Sequence, residues 1–163
     1  MAKRSVLVVC TGNICRSPTA EGVLREKAKQ RGLDRALRVA SAGTHDYHVG
    51  ESPDGRSMKH ATKRGYDLSR QRARQVAERD FRDFDYILAM DGGHLRLLHA
   101  IAPKDATAKV AMFLERSATW KGLDVPDPYY GGPEGFERVL DMVEEAADRW
   151  LDLLAAEIDP PAP

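Results

Sequence analysis

Only two of the 163 residues are cysteines, and both, Cys10 and Cys15, fall in one short stretch near the N-terminus. A bridge between them closes too short a ring to staple a fold, so a disulfide framework is excluded and reactive thiols in a reducing compartment are expected. Long hydrophobic runs are missing as well. The opening run is the four residues Val6 to Val9, against the roughly 20 that span a bilayer, so membrane insertion is not expected and a cytoplasmic location follows. Net charge is absent, with 25 Lys and Arg balancing 25 Asp and Glu. A nucleic-acid binder is normally more basic, and nucleic acid is not an expected partner. None of the five histidines has metal-ligand spacing: His45 and His48 fall in an expected loop, while His94 and His99 do not share a helical face. Neither a metal nor a cofactor is expected.

The charge balance hides a division. Residues 1–80 carry 17 Lys and Arg against 9 Asp and Glu, and residues 81–163 carry 8 against 16, which either builds a bipolar surface or cancels on folding. Arg70, Arg72, Arg74 and Arg79 read as a solvated surface. The length suits one domain over 1–163 with a full core. Short β-branched runs alternate with helical patterns along it. Ser5–Val9, Leu37–Ala42, Phe84–Met90 and Lys109–Leu114 read as strands. Pro18–Arg31, Pro53–Arg64, Ala73–Phe81 and Gly92–Ile101 read as helices, and Phe136 to Leu154 repeats apolar residues on one helical face. This alternation predicts an α/β domain, a four-stranded parallel sheet with helices on both faces. Residues 158–163, ending in DPPAP, read as a frayed tail.

Ligands of such sheets bind at the carboxyl ends of the strands, where the stretch VLVVCTGNICRSPTAEG, Val6 to Gly22, places a polar loop. Cys10 directly follows the strand. Gly12 and Asn13 tolerate the dihedrals of a tight curl, and Pro18 suits the first turn of the following helix. A loop of this kind turns successive backbone N–H groups toward one point, and the helix N-terminus adds partial positive charge. The result is an anion cradle. A cysteine on its rim has its thiolate stabilised by the same groups, and Arg16 offers two parallel donors to a tetrahedral oxyanion. With 17 arginines in the chain the Cys-x5-Arg spacing alone carries no claim; the strand, loop and helix around it do.

These residues, with SAGT at Ser41–Thr44, FDYILAMD at Phe84–Asp91 and DPYYGG at Asp127–Gly132, resemble the low-molecular-weight protein tyrosine phosphatase family over nearly the whole chain, and its bacterial members in particular. The resemblance implies metal-independent hydrolysis of protein phosphotyrosine through a phosphocysteine. In it Cys10 is the nucleophile, Arg16 binds phosphate, and Asp127 is general acid and then base. Thr11, Gly12, Asn13, Ile14, Cys15, Ser17 and Ser41 form and support the phosphate loop, with Ser17 donating to the Cys10 sulfur. Tyr47, Tyr129 and Tyr130 wall the substrate pocket. The implied partner is a tyrosine-phosphorylated protein, such as an autophosphorylating bacterial tyrosine kinase. Taken alone, Asp127 before a proline reads as a turn former, and the tyrosines as surface aromatics.

Two departures from the family pattern stand out. Gln71, in SRQRARQ, occupies the place of a histidine that buttresses the loop in many relatives, and Tyr47 stands where bacterial relatives often have tryptophan. Cys15 reads equally as a packing residue or as a second thiol for a reversible disulfide with Cys10. Three rival functions fit less well. An arsenate reductase-like oxidoreductase needs downstream cysteines that this chain lacks. A protein-arginine phosphatase typically has threonine where Ile14 stands. A phosphate-binding module does not need both Cys10 and Asp127.

Overall fold

Alternation along β1, Arg4–Cys10, sends Val6 and Val8 to one face of the sheet and Leu7 and Val9 to the other, and all four are fully buried. A strand buried on both faces needs helices on both, which is the doubly covered parallel arrangement. A computed structural model describes residues 2–160 in this form. The sheet has the order β2-β1-β3-β4, all parallel, with β2 at Leu37–Gly43, β3 at Tyr86–Ala89 and β4 at Lys109–Met112. Val6, Val8 and Leu88 pack with α1 (Arg16–Gln30) and the 26-residue α5 (Pro133–Ile158) through Val23, Leu24, Val143 and Trp150. Leu7, Val9 and Ile87 pack with Phe81, Phe84 and Leu98 on the opposite face. Between β2 and β3 the chain forms α2 (Gly55–Lys63) and the single turn α3 (Asp80–Asp83), and α4 (Gly92–Ile101) joins β3 to β4.

The elements follow local chemistry. Asp54 caps α2 by accepting the amides of Arg56 and Ser57, and Asp91 caps α4 by accepting that of His94. The Trp150 indole donates to the Phe113 carbonyl at 2.7 Å and pins α5 beside the short 3-10 helix Phe113–Arg116.

Several expected boundaries are corrected. The helix expected over Ala73–Phe81 exists only from Asp80. Before it the chain bridges to β2 at Gln75 and turns only at 78–79, because the Arg74 carbonyl and the Val76 amide pair with Gly43 at the end of β2 and the Arg74 amide donates to Asn13 Oδ1. Arg74 itself is no free surface charge, since it forks onto the buried Asp80 carboxylate at 2.9 and 3.0 Å. The strand expected over Lys109–Leu114 stops at Met112, where Phe113 and Leu114 turn into the core. β3 spans only Tyr86–Ala89 of the expected Phe84–Met90, with Phe84 capping α3. Helix α1 starts at Arg16, so Pro18 is its third residue, where a missing N–H still costs no helical bond. Of the tail expected over 158–163, Ile158 is the last residue of α5 and fully buried, and 161–163 lie outside the described residues.

Candidate active site

The strand order changes direction between β1 and β3, and Cys10 ends β1 at that point. Ligand sites of parallel sheets form there, because the crossovers on either side diverge and leave a crevice. Residues 10–16 wrap this crevice. Asn13 takes φ 57°, in the left-handed region that asparagine tolerates better than most residues. Its amide donates to Ser17 Oγ at 2.8 Å and Ser41 Oγ at 2.9 Å, and its oxygen accepts the Arg74 amide at 3.1 Å. The start of α1 and two distant segments are thereby pinned to one loop residue. Gly43 lies so close beneath that a Cβ there would stand 2.7 Å from the Thr11 carbonyl.

The Cys10 sulfur lies 3.0 Å from Ser17 Oγ. That oxygen already accepts from Asn13, so its own proton is free to go to sulfur; the Ala42 carbonyl, at 3.5 Å, is the weaker alternative. Arg16 is 5 % exposed at the side chain, and its NH1 donates to Asp91 Oδ2 at 2.9 Å and to the Val125 carbonyl at 3.0 Å. NH2 lies 3.8 Å from Asp127 Oδ2. Asp127 is 46 % exposed, and its Oδ1 accepts the Tyr129 amide at 3.1 Å. One guanidinium edge is therefore held by protein while the other faces the Asp127 loop.

A pocket of about 210 Å³ opens above these groups, lined by Cys10, Thr11, Gly12, Ile14, Cys15, Arg16, Tyr47, His48, Asp127, Tyr129 and Tyr130. The structure thus brings all three tyrosines to one mouth, with Tyr130 91 % and Tyr47 67 % exposed. Tyr47 stacks on His45, and Tyr129 meets Tyr130 edge to face. Asn13, Ser17 and Ser41 lie behind the loop instead of lining the pocket.

Electrostatics sort the remaining groups. Burial pushes the Cys15 thiol up to about 12 against a hydrogen bond from Ser57, so Cys15 is a neutral thiol at pH 7, and both cysteines are buried and unbridged. Burial also raises Glu21, opposed by the Ser41 hydroxyl, which donates at 2.7 Å, and by Arg25. Asp91 is pushed up by burial, but the His94 amide and ring and the Arg16 guanidinium outweigh this and hold it below the usual carboxylate range. Gln71 turns its amide to the Pro18 carbonyl at 2.9 Å, so it supports the first turns of α1 and makes no hydrogen bond to the phosphate loop. Among the described residues no group of three or more His, Cys, Asp or Glu is placed to hold a metal ion.

Asp91, His94, His48 and Glu21 escaped the sequence reading as site residues. Asp91 carried a usable signal: an Asp directly after a strand and three residues before His94 marks a helix N-cap at the same sheet end as Cys10. Glu21 and His48 carry none, because their contacts are made across the fold.

The family model described as low molecular weight phosphotyrosine protein phosphatase matches residues 5–159. The chain belongs to that family. It is a protein-tyrosine phosphatase, a phosphoric monoester hydrolase. A low molecular weight protein-tyrosine-phosphatase of Streptomyces coelicolor is 42 % identical over 94 % of this phosphatase and 95 % of its own length. The crystal structure of a protein tyrosine phosphatase from Entamoeba histolytica superposes with a TM-score of 0.90 at 38 % identity, covering 95 % and 99 % of the two chains. A Drosophila arginine phosphatase superposes at 0.86 with 31 % identity, covering 91 % of this phosphatase and 96 % of that chain. No helix among the described residues is long and apolar enough to cross a membrane.

Proposed function

We propose that Cys10 is the nucleophile toward protein phosphotyrosine, Arg16 the oxyanion clamp and Asp127 the proton donor and acceptor. The observation that carries this is their convergence. A buried guanidinium held by Asp91 and Val125, a sulfur hydrogen-bonded to Ser17 and a half-exposed carboxylate surround one pocket of about 210 Å³. In the first step the Cys10 S–P bond forms as the P–O bond to tyrosine breaks, and the Asp127 proton goes to the departing phenolate oxygen. Water then attacks phosphorus, giving its proton to Asp127, and the S–P bond breaks to release inorganic phosphate and the thiolate. Ser17 stabilises sulfur as it becomes the leaving group. Arg16 donates to the equatorial oxygens in both steps. Tyr47, Tyr129 and Tyr130 form the walls around the phosphotyrosine ring, and Thr11, Gly12, Asn13, Ile14, Cys15 and Ser41 shape the loop. We place this reaction in the cytoplasm, on tyrosine-phosphorylated proteins such as an autophosphorylating tyrosine kinase.

The likeness to an arginine phosphatase supplies the second reading. Ile14 lines the pocket and offers an apolar wall, which suits an aromatic ring better than a guanidinium. Turnover of matched phosphotyrosine, phosphoarginine and phosphoserine peptides separates the two. Phosphotyrosine should be hydrolysed fastest, and Cys10→Ser should abolish turnover while still binding vanadate. Faster turnover of phosphoarginine, or an active Cys10→Ser variant, would overturn the assignment.

A further inference from the structure

One buried titratable side chain touches the phosphate loop without a part in the reaction proposed above. His94, in the first turn of α4, is 7 % exposed at the side chain. Its Nε2 lies 2.7 Å from Oγ1 of Thr11, the residue directly after Cys10. Its Nδ1 lies 3.2 Å from Asp91 Oδ1, close but out of hydrogen-bond alignment. The other oxygen of Asp91 takes Arg16 at 2.9 Å. Thr11 and Arg16 stand at opposite ends of the loop, so Thr11, His94, Asp91 and Arg16 form a strut that joins those ends across the β3–α4 junction.

The geometry selects a tautomer. A bare Nδ1 would hold its partial negative charge 3.2 Å from a carboxylate oxygen, which is repulsive, whereas a proton on Nδ1, even out of line, turns the same approach into attraction. Nε2 is then the acceptor and the Thr11 hydroxyl the donor. Burial keeps the ring neutral down to about pH 4, against the pull of Asp91. Of the other charges facing it, Arg16 opposes a second cation, and Asp127 and Asp124 favour one.

We propose that His94, as the neutral Nδ1–H imidazole, is a positioning residue of the phosphate loop: it accepts the Thr11 hydroxyl and, through Asp91, ties the residue after the nucleophile to Arg16. The proposal rests on reading residues 10–16 as the phosphate site. The strut fixes the Thr11 rotamer, and with it the peptide that follows Cys10, against the same carboxylate that orients the guanidinium. Thr11 and His94 therefore act as one unit.

The test is a double-mutant cycle with Thr11→Val, His94→Ala and the pair, joined by His94→Gln, whose amide oxygen is able to accept from Thr11. Nitrophenyl phosphate turnover, competitive inhibition by inorganic phosphate and melting temperature are read for each protein. Each single variant should lose about tenfold in kcat/KM, equivalent to about 1.4 kcal/mol, with phosphate inhibition weakened in parallel. The double variant should lose no more than either single one, and His94→Gln should recover most of the loss. Nitrogen-15 spectra of His94 should show Nδ1 protonated and Nε2 bare from pH 5 to 8. Additive losses, a lower melting temperature with unchanged phosphate inhibition, or a protonated Nε2 would each overturn the proposal. A Cys10→Ser control separates the two readings. If that variant still turns over substrate, the catalytic assignment fails, while phosphate inhibition and the spectrum still decide the role of His94. If it is inactive and the cycle is additive, only the His94 proposal fails.

Discussion

Removing the Asn13 side chain tests how the phosphate loop is held. The perturbation has two separable parts. Asn13→Ala deletes three hydrogen bonds, two buried ones to Ser17 and Ser41 and a partly buried one from the Arg74 amide, at about 1 kcal/mol each. It also places a Cβ without a compensating polar group at φ 57°, which costs about 1 kcal/mol more. Asn13→Gly deletes the same bonds and avoids the Cβ penalty, but gives back about 0.5–1 kcal/mol through its freer unfolded chain. Urea unfolding should therefore show Asn13→Ala destabilised by about 4 kcal/mol, with Asn13→Gly better by no more than about 1 kcal/mol. That is a large share of a typical domain stability of about 5–15 kcal/mol, but leaves the variants folded in buffer at 25 °C in all but the least stable case. Activity should fall further than stability implies, because Ser17 loses the donor that orients its own proton toward sulfur. If Asn13→Ala unfolds within about 1 kcal/mol of the wild type and keeps its kcat, the inference that these bonds hold the loop is wrong.

Asp127→Asn should slow hydrolysis of phenyl phosphate far more than that of nitrophenyl phosphate, since only the more basic phenolate needs a proton; an equal loss on both would remove Asp127 from the acid role. Gly43→Ala should cut turnover by more than tenfold, because its Cβ meets a backbone carbonyl at 2.7 Å and the loop has to yield; full activity would show that the loop is free to shift. Glu21 has its folded pKa raised, so the folded state binds its proton more tightly and stability falls as pH rises from about 4.5 through the folded value. Glu21→Gln should flatten that part of the stability profile, and an unchanged profile would assign it to another group. His94 has the opposite sign: lowered from 6.5 to about 4, it makes stability fall as pH drops through this window, by up to about 3 kcal/mol, and His94→Gln should remove most of that slope in urea titrations.

The parts of the fold that could be read early are those in which neighbours in sequence are also neighbours in space. Strand β1 and the loop to α1 belong to one continuous stretch, so the apolar run, Gly12, Asn13 and the adjacent Pro18 already predicted a tightly curled loop between strand and helix. The helix Gly92–Ile101 matched its expected ends because Asp91 caps it locally. Residues 73–79 failed for the converse reason. Their helical pattern is overridden by hydrogen bonds to Gly43 and Asn13, groups some 30 and 60 residues away in the chain, and a side-chain periodicity contains no record of them.

The sequence by itself determined the chemistry available to this phosphatase: a thiol at a strand end, a guanidinium six residues on, and a distant Asp-Pro able to move a proton. The alternation of short strands with helical segments, together with the unbroken apolar run Val6–Val9, also determined that the sheet is covered on both faces. Tertiary structure decided which carboxylate holds Arg16, that Gln71 serves α1 instead of the phosphate loop, that Arg74 is spent on Asp80, and that a histidine on α4 reaches Thr11. Those contacts depend on the order in which the strands assemble. Only when β3 pairs beside β1 do Asp91 and His94 arrive at the same carboxyl end as Cys10, and local spacing along a chain carries no information about which strand its neighbour will be.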